Sequence, residues 1–260
     1  MSLSDTAGHI RLRMPACCNY CYAKSLLSFR NLWNPNEPAM ADIRKIERKI
    51  SQIPSGSVVR LGGMTDCFMP LERSMGNTYR TIELLNKKRI HYLIVTKSAL
   101  VADDDYINIM DKDLAHIQIT TTCTNDELYK KLNYEKASLP SKRIEAIKKL
   151  QNNGFDVAIR LSPLIEEYVD FDLLNTLGIE KAVVEFLRVN SWIMKWFDID
   201  YSKHTLKEGN YRHLPLEEKN RLLEKIHIPN ITVCEDYTEH YEYWKEHFNP
   251  NRDDCCNLRL

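Results

Sequence analysis

The chain has 260 residues, a length at which α/β barrels form as one unit. Its 36 basic and 36 acidic residues cancel, so no global field selects a polyanion, and nucleic acid is neither favoured nor excluded as a partner. No apolar run nears the roughly 20 residues of a membrane span, and MSLSDTAGHIRLR at the amino terminus lacks the apolar stretch of a signal peptide. A cytoplasmic protein without membrane contact is expected. Eight cysteines in a reducing compartment then point to metal or radical chemistry more than to structural bridges.

His9–Met14 (HIRLRM) alternates and predicts a first strand, which leads into PACCNYCYAK from Pro15 to Lys24. Cys17, Cys18 and Cys21 fall within five residues there. C-x-x-C spacing lets one short loop offer two sulfurs to one centre, which favours metal or iron–sulfur ligation. The plainer reading is three small buried apolar side chains. Ala41–Ile53 places isoleucines at helical spacing and ends at Pro54. Strands are predicted over Val58–Gly63, His91–Ser98, Ala115–Thr122, Asp156–Pro163 and Ala182–Val189. Helices are predicted over Thr78–Lys88, Ser141–Asn153 and about Leu216–Ile226, with Thr124 and Glu127 spaced as a capping box. Ile231–Cys234 is a further short apolar stretch, open as a seventh strand.

Strands alternating with helices at this period imply parallel pairing through right-handed crossovers. Six such units suit an open or partial α/β barrel, expected as one domain over residues 1–260, with a core over about 10–190 and a cover over about 191–260. In parallel α/β architectures the loops after the strand C-termini gather on one rim, where ligands bind. Here those loops are the cysteine stretch, GGMTDC, TKS, TTTCT and RLSP. Two aromatic stretches, Leu187–Tyr201 and Tyr237–Phe248, read as core or barrel cover, or else as a stacking platform for a ring. Cys255 and Cys256, in DDCCNLRL, can ligate metal, donate hydrogen, or tuck under the barrel.

CNYCYA, RLGGMTD with MPLE after it, VTKS, QITTT followed by DEL, the EAIKKL helix and VAIRLSPLI occur in that order. From about Ile10 to Ile165 the chain thereby resembles the spore photoproduct lyase-like branch of the radical S-adenosylmethionine (SAM) superfamily. The resemblance implies a partial (β/α)6 TIM-type barrel of parallel strands. It also implies a [4Fe–4S] cluster that cleaves SAM reductively, giving a 5′-deoxyadenosyl radical that acts on an unknown substrate. An external electron donor such as flavodoxin or ferredoxin is implied with it.

The family loop is C-x3-C-x2-C with aromatics flanking the last cysteine, and Cys18, Tyr20, Cys21 and Tyr22 match its second half. The first cysteine falls on Met14, so the resemblance leaves Cys17, Cys18 and Cys21 as cluster ligands, with Cys255 or Cys256 as another source of sulfur. It also implies that Tyr20 packs near the adenine. Gly62 and Gly63 would admit the methionyl amino group, with Thr65 and Asp66 supplying polar contacts and Lys97, Ser98, Thr120 and Arg160 lining later strand ends. Arg160, in an otherwise apolar strand, needs an acidic partner, either the SAM carboxylate or a carboxylate of the barrel. In lesion-repairing members a cysteine after the second strand donates a hydrogen atom. Met64 occupies that place and Cys67 lies three residues on, which makes Cys67 the candidate donor, beside Tyr22, and argues against spore DNA repair as the reaction. Two alternatives stay open: a non-catalytic barrel used for binding, and a structural zinc site.

Overall fold

Two periodicities sort the apolar residues. Ile43, Ile46 and Ile50 align on one face of α1 (Ile43–Gln52), whose first turn is capped by the Asp42 carboxylate accepting from the Arg44 amide at 3.0 Å. Short Val- and Ile-rich runs make β1 (Val58–Leu61), β2 (His91–Thr96), β3 (Ala115–Thr120), β4 (Asp156–Leu164) and β5 (Lys181–Phe186). These elements belong to a computed structural model that describes residues 20, 28–31, 42–62, 65–130, 137–252 and 254–258. The strand expected over His9–Met14, together with Cys17, Cys18, Cys21, Tyr22, Gly63 and Met64, lies outside the described residues.

Between the strands run α2 (Glu72–Met75), α3 (Asn77–Lys87), α4 (Asp104–Ile109), α5 (Asp126–Lys130), α6 (Pro140–Asn152) and α7 (Phe171–Thr176). After β5 come α8 (Ser191–Trp196), a hairpin of β6 (Leu206–Glu208) and β7 (Tyr211–His213), α9 (Leu216–Leu223), β8 (Asn230–Val233) and α10 (Thr238–His247). The sheet order is β1-β2-β3-β4-β5-β8, and every pair is parallel. This is the α/β arrangement of a partial barrel. The apolar stretch at Ile231–Cys234 does supply a strand, and it completes the six described. The β6–β7 hairpin was not expected: LKE and YRH are too short and too charged to show strand periodicity.

Successive strand residues point to opposite faces, and the two faces of this sheet differ. Val59, Leu61, Ile94, Ile117, Ile159 and Val184 pack against Ile50, Leu85, Ile147 and Leu150 of the helices in the main core. The register places Arg60, His116, Gln118, Arg160, Glu185 and Thr232 together on the other, interior face. At its lower end His91 Nδ1 meets His116 Nε2 at 3.2 Å, while His116 Nδ1 and Lys181 Nζ each meet the Asp156 carboxylate at 2.6 Å.

The expected capping box does not form. Asn125 caps α5 by accepting from the Leu128 amide at 2.9 Å, and Thr124 Oγ1 accepts instead from the Asp170 amide at 2.7 Å, tying the loop after β3 to the start of α7. The aromatic stretch near the carboxyl end contributes to the core: Trp244 of α10 is fully buried in the main apolar cluster and stacks on Phe186 at 6.4 Å. No helix among the described residues is long and apolar enough to cross a membrane.

Burial pushes His204 and His240 down to about 4, with Lys219 adding to the effect at His240. The unfolded chain takes up protons on these rings near pH 6.5, and the folded chain does so only near pH 4. Stability from their neutral burial is therefore complete above about pH 6.5 and is lost as pH falls through that window. His240 faces Lys219, Glu235, His213 and Glu239, and His204 faces His213, Asp200 and Lys219. A fall in melting temperature between pH 7 and pH 5, flattened in His204→Gln, is the expected result of a thermal-melt series. A flat wild-type profile over that range overturns it.

Candidate active site

The carboxyl ends of β1 to β5 form a rim held by hydrogen bonds among the loops that follow them. Tyr20, the residue immediately before Cys21, is buried on this rim. Its hydroxyl lies 3.0 Å from Thr122 Oγ1. The Thr122 hydroxyl donates in turn to the Ser162 carbonyl at 3.0 Å, so Tyr20 is the donor to Thr122. The Tyr20 ring packs edge-on against Phe197 at 5.8 Å, in a second apolar cluster with Ile165, Leu187 and Ile193. The centre of the cysteine stretch is thus fastened across the ends of β3 and β4.

Several of the expected cofactor contacts have local tasks. Gly62 has φ +80°, and a Cβ there would stand 2.5 Å from the Val95 carbonyl oxygen, so the close approach of β1 and β2 already requires glycine. Thr65 lies in the loop just beyond, half-buried. The Asp66 carboxylate accepts from the Phe68 amide at 2.9 Å, Thr96 Oγ1 at 2.7 Å and the Lys97 amide at 2.6 Å, which ties the loop after β1 to the end of β2. Ser98 Oγ accepts from the Leu100 amide at 3.3 Å and caps the short 3-10 helix Ala99–Ala102. Thr120 is buried, and its carbonyl accepts from Arg143 at 2.8 Å. Lys97 differs: it is half-buried one residue beyond β2, and its ammonium has no acidic partner among the described residues.

Arg160 finds its acid within the barrel. Its Nη2 meets Glu185 Oε2 at 2.7 Å and its Nη1 donates to Gln118 Oε1 at 2.7 Å, while Ser162 Oγ donates to the same Glu185 oxygen at 2.7 Å. Burial pushes the Glu185 carboxyl up, but Arg160 and Ser162 together hold it below the ordinary glutamate value. Glu185 is thus the barrel carboxylate expected as one of the two partners for Arg160. Glu185 was missed in the sequence, although a signal existed: Arg160 in VAIRLSP and Glu185 in AVVEFLRV are opposite charges in neighbouring apolar strands.

Cys67 is 6% exposed and packs in the main core beside Phe68. Burial pushes its thiol well above the usual value, and Asp66 and Glu72 add to the shift, so it stays protonated. Its carbonyl accepts from Thr78 Oγ1 at 2.6 Å. Cys255 and Cys256, the other candidate source of cluster sulfur, have neighbours on the interior face. Cys255 Sγ lies 3.6 Å from Cys234 Sγ, and the Cys256 carbonyl accepts from Gln118 Nε2 at 2.8 Å. Among the described residues no group of three or more His, Cys, Asp or Glu side chains is arranged to hold a metal ion.

The sequence profile of the Radical SAM superfamily matches residues 15–177, well over half of the chain. The chain belongs to the radical SAM superfamily. It is also 30% identical over 166 residues to the uncharacterized protein MJ0683 of Methanocaldococcus jannaschii. That match covers 60% of this chain and 59% of the relative, less than two thirds of either. Among solved structures, spore photoproduct lyase complexed with dinucleoside spore photoproduct superposes with a TM-score of 0.60 at 14% identity, covering 84% of this chain and 73% of the lyase. Streptococcus suis SuiB bound to precursor peptide SuiA superposes at 0.58 and 12% identity, covering 90% of this chain and 49% of SuiB. At these identities the likeness is one of fold. For this superfamily member, the chemistry of the donor set fits an iron–sulfur group, since three thiols fall within five residues and a residue among them is anchored on the rim. The Lys97 ammonium, without an acid among the described residues, fits the carboxylate of SAM.

Proposed function

We propose that this chain is a SAM-cleaving radical enzyme, with Cys17, Cys18 and Cys21 holding a [4Fe–4S] cluster and Lys97 receiving the SAM carboxylate. The observation that carries the reading is the Tyr20–Thr122–Ser162 chain of hydrogen bonds, which fastens the residue next to Cys21 onto the carboxyl rim. Bound there, the cluster would supply one electron to the sulfonium of SAM, so that a carbon-centred adenosyl radical can take a hydrogen atom from substrate.

The protein's own share is placement and exclusion. Asp66 fixes the backbone at the ends of β1 and β2, so Lys97 is held at one strand end. Arg160 and Glu185 neutralise each other and leave that part of the interior face polar without net charge. Tyr20, Phe197, Leu187 and Ile193 close the rim with apolar surface that keeps water from the reacting groups. Tyr22 is the aromatic neighbour of the last cluster cysteine. The reaction proposed is not photolesion repair, because Met64 stands where the repairing members place their donor cysteine. A flavodoxin- or ferredoxin-type protein is the proposed electron source.

Anaerobic reconstitution with iron and sulfide tests this directly. A brown protein with about four irons per chain, releasing 5′-deoxyadenosine from SAM under dithionite, is the expected outcome. Colourless protein, with stoichiometric zinc or with no metal, overturns it.

A further inference from the structure

Three thiols distant from the amino-terminal cysteines meet on the interior face of the sheet. Cys234 directly follows β8, and its amide donates to the Val184 carbonyl at 2.8 Å, so its backbone is part of the sheet. Cys255 Sγ stands 3.6 Å from Cys234 Sγ, and Cys256 follows it in the chain. The three are free and half-buried, so a small reagent can reach them. The segment carrying Cys255 and Cys256 is held by few bonds among the described residues. Gln118 of β3 donates to the Cys256 carbonyl at 2.8 Å, and Asp254 accepts from the Cys256 amide at 2.8 Å and the Leu258 amide at 2.7 Å. Of these three, the first alone reaches the sheet. From β8 to β3, the segment lies over the polar face that the barrel would offer to a substrate.

We propose that Cys234 and Cys255 are a reversible disulfide site, oxidised by a low-molecular-weight disulfide, whose bond fastens the carboxyl-terminal segment over the interior face. Contraction from 3.6 Å to the roughly 2.05 Å of a disulfide needs only a small side-chain movement, on the less constrained Cys255. The Cys255 thiol donates to Cys234 and, with the Arg160 guanidinium nearby, holds Cys234 below the ordinary thiol value against the opposing effect of burial. Cys256 competes with Cys234 for that one hydrogen and is lowered as well when it receives it. Neighbouring Cα atoms, however, stand only about 3.8 Å apart, closer than the roughly 4.4 Å minimum of ordinary disulfides. Cys234 is therefore the attacking thiolate. It attacks one sulfur of the external disulfide and expels one thiolate, which takes the proton of Cys255. Cys255 then attacks the Cys234 sulfur and expels the second thiolate, which takes up the proton that Cys234 had released. Two protein thiols lose two electrons and two protons, and the oxidant becomes two thiols. Reduction by an external dithiol reverses each step and leaves the segment held by its hydrogen bonds.

The bond would close a loop that contains α10, so it stabilises the folded chain by restricting the unfolded one. The test treats the full-length protein with oxidised glutathione and maps tryptic peptides without reduction. Wild type and Cys256→Ser are expected to give one cross-linked species joining the peptide with Cys234 to that with Cys255. Cys234→Ser and Cys255→Ser are expected to give none. Oxidised Cys256→Ser should melt at least about 3 °C above its reduced form. Brief trypsin treatment of folded protein, cutting after the exposed Arg252, should release the terminal peptide only from the reduced form. A cross-link through Cys256 in place of Cys255, complete oxidation of other thiols without this link, or an unchanged melting temperature overturns the proposal. Each readout is independent of SAM cleavage.

Discussion

Cys18→Ala and Cys21→Ala each lower deoxyadenosine release at least about 100-fold and reduce bound iron after reconstitution. The physical reason is charge and count: each thiolate offsets positive charge on the iron–sulfur core, and a loop left with two has too few ligands to retain it. The anchor survives these substitutions, because Tyr20 holds to Thr122 through its own hydroxyl. The melting temperature of the metal-free variants should stay close to that of metal-free wild type. Iron quantitation together with melting curves separates loss of the cluster from loss of the fold. Cys17→Ala is expected to behave as the other two do, because Met14 offers only a neutral thioether at the family's first position. Cys17→Ala with full iron content would remove Cys17 from the ligand set, and wild-type release from Cys21→Ala would remove the cluster from this loop.

Arg160→Met destabilises the fold by about 2–3 kcal/mol, measured by chemical denaturation. Arg160 is 4% exposed, and the substitution leaves the Glu185 carboxylate with Ser162 as its remaining hydrogen-bond donor among the described residues. The Glu185 side chain keeps 31% of its exposure, so water offsets part of the loss and the effect stays below that of a fully enclosed pair. Gln118 also loses the hydrogen bond to its Oε1. The companion experiment is Arg160→Met with Glu185→Leu, where no charge is left behind. Most of the lost stability should return, since a buried pair gains little over apolar residues of similar volume. A single variant as stable as wild type, or a double variant no better than the single, contradicts this account. The outcome also bears on SAM binding: an Arg160 engaged with Glu185 is a strut of the barrel, which leaves Lys97 as the better-placed cation at the rim.

Much of the architecture was legible because it depends on short-range order. The isoleucines of α1, the Val- and Ile-rich strands and the residues that end them each follow from spacing within about ten residues, and a parallel sheet follows from their alternation. Where neighbours of nearly equal chemistry compete, spacing fails: Thr124 and Asn125 can both cap α5, and the backbone of α7, far along the chain, takes Thr124 and leaves Asn125 to the helix. The β6–β7 hairpin was illegible for a related reason, since three-residue strands carry too little periodicity.

The same division runs through the site. The residue types of the amino-terminal loop and the strand ends are local text, and they sufficed to point to the superfamily. The partners of those residues are not local. Arg160 and Glu185 are 25 residues apart, Tyr20 and Thr122 are 102 apart, and Gln118 meets the backbone of Cys256 across 138. Composition and periodicity decided that a parallel barrel forms and which loops share its rim, because the spacing of apolar residues over a few positions sets whether a segment suits a helix or a strand and which of its faces is buried. Only packing decided which carboxylate answers Arg160, which glycine is required by a facing carbonyl, and which sulfurs meet, because hydrogen bonds and ion pairs form between whatever groups the folded sheet brings within about 3 Å of one another.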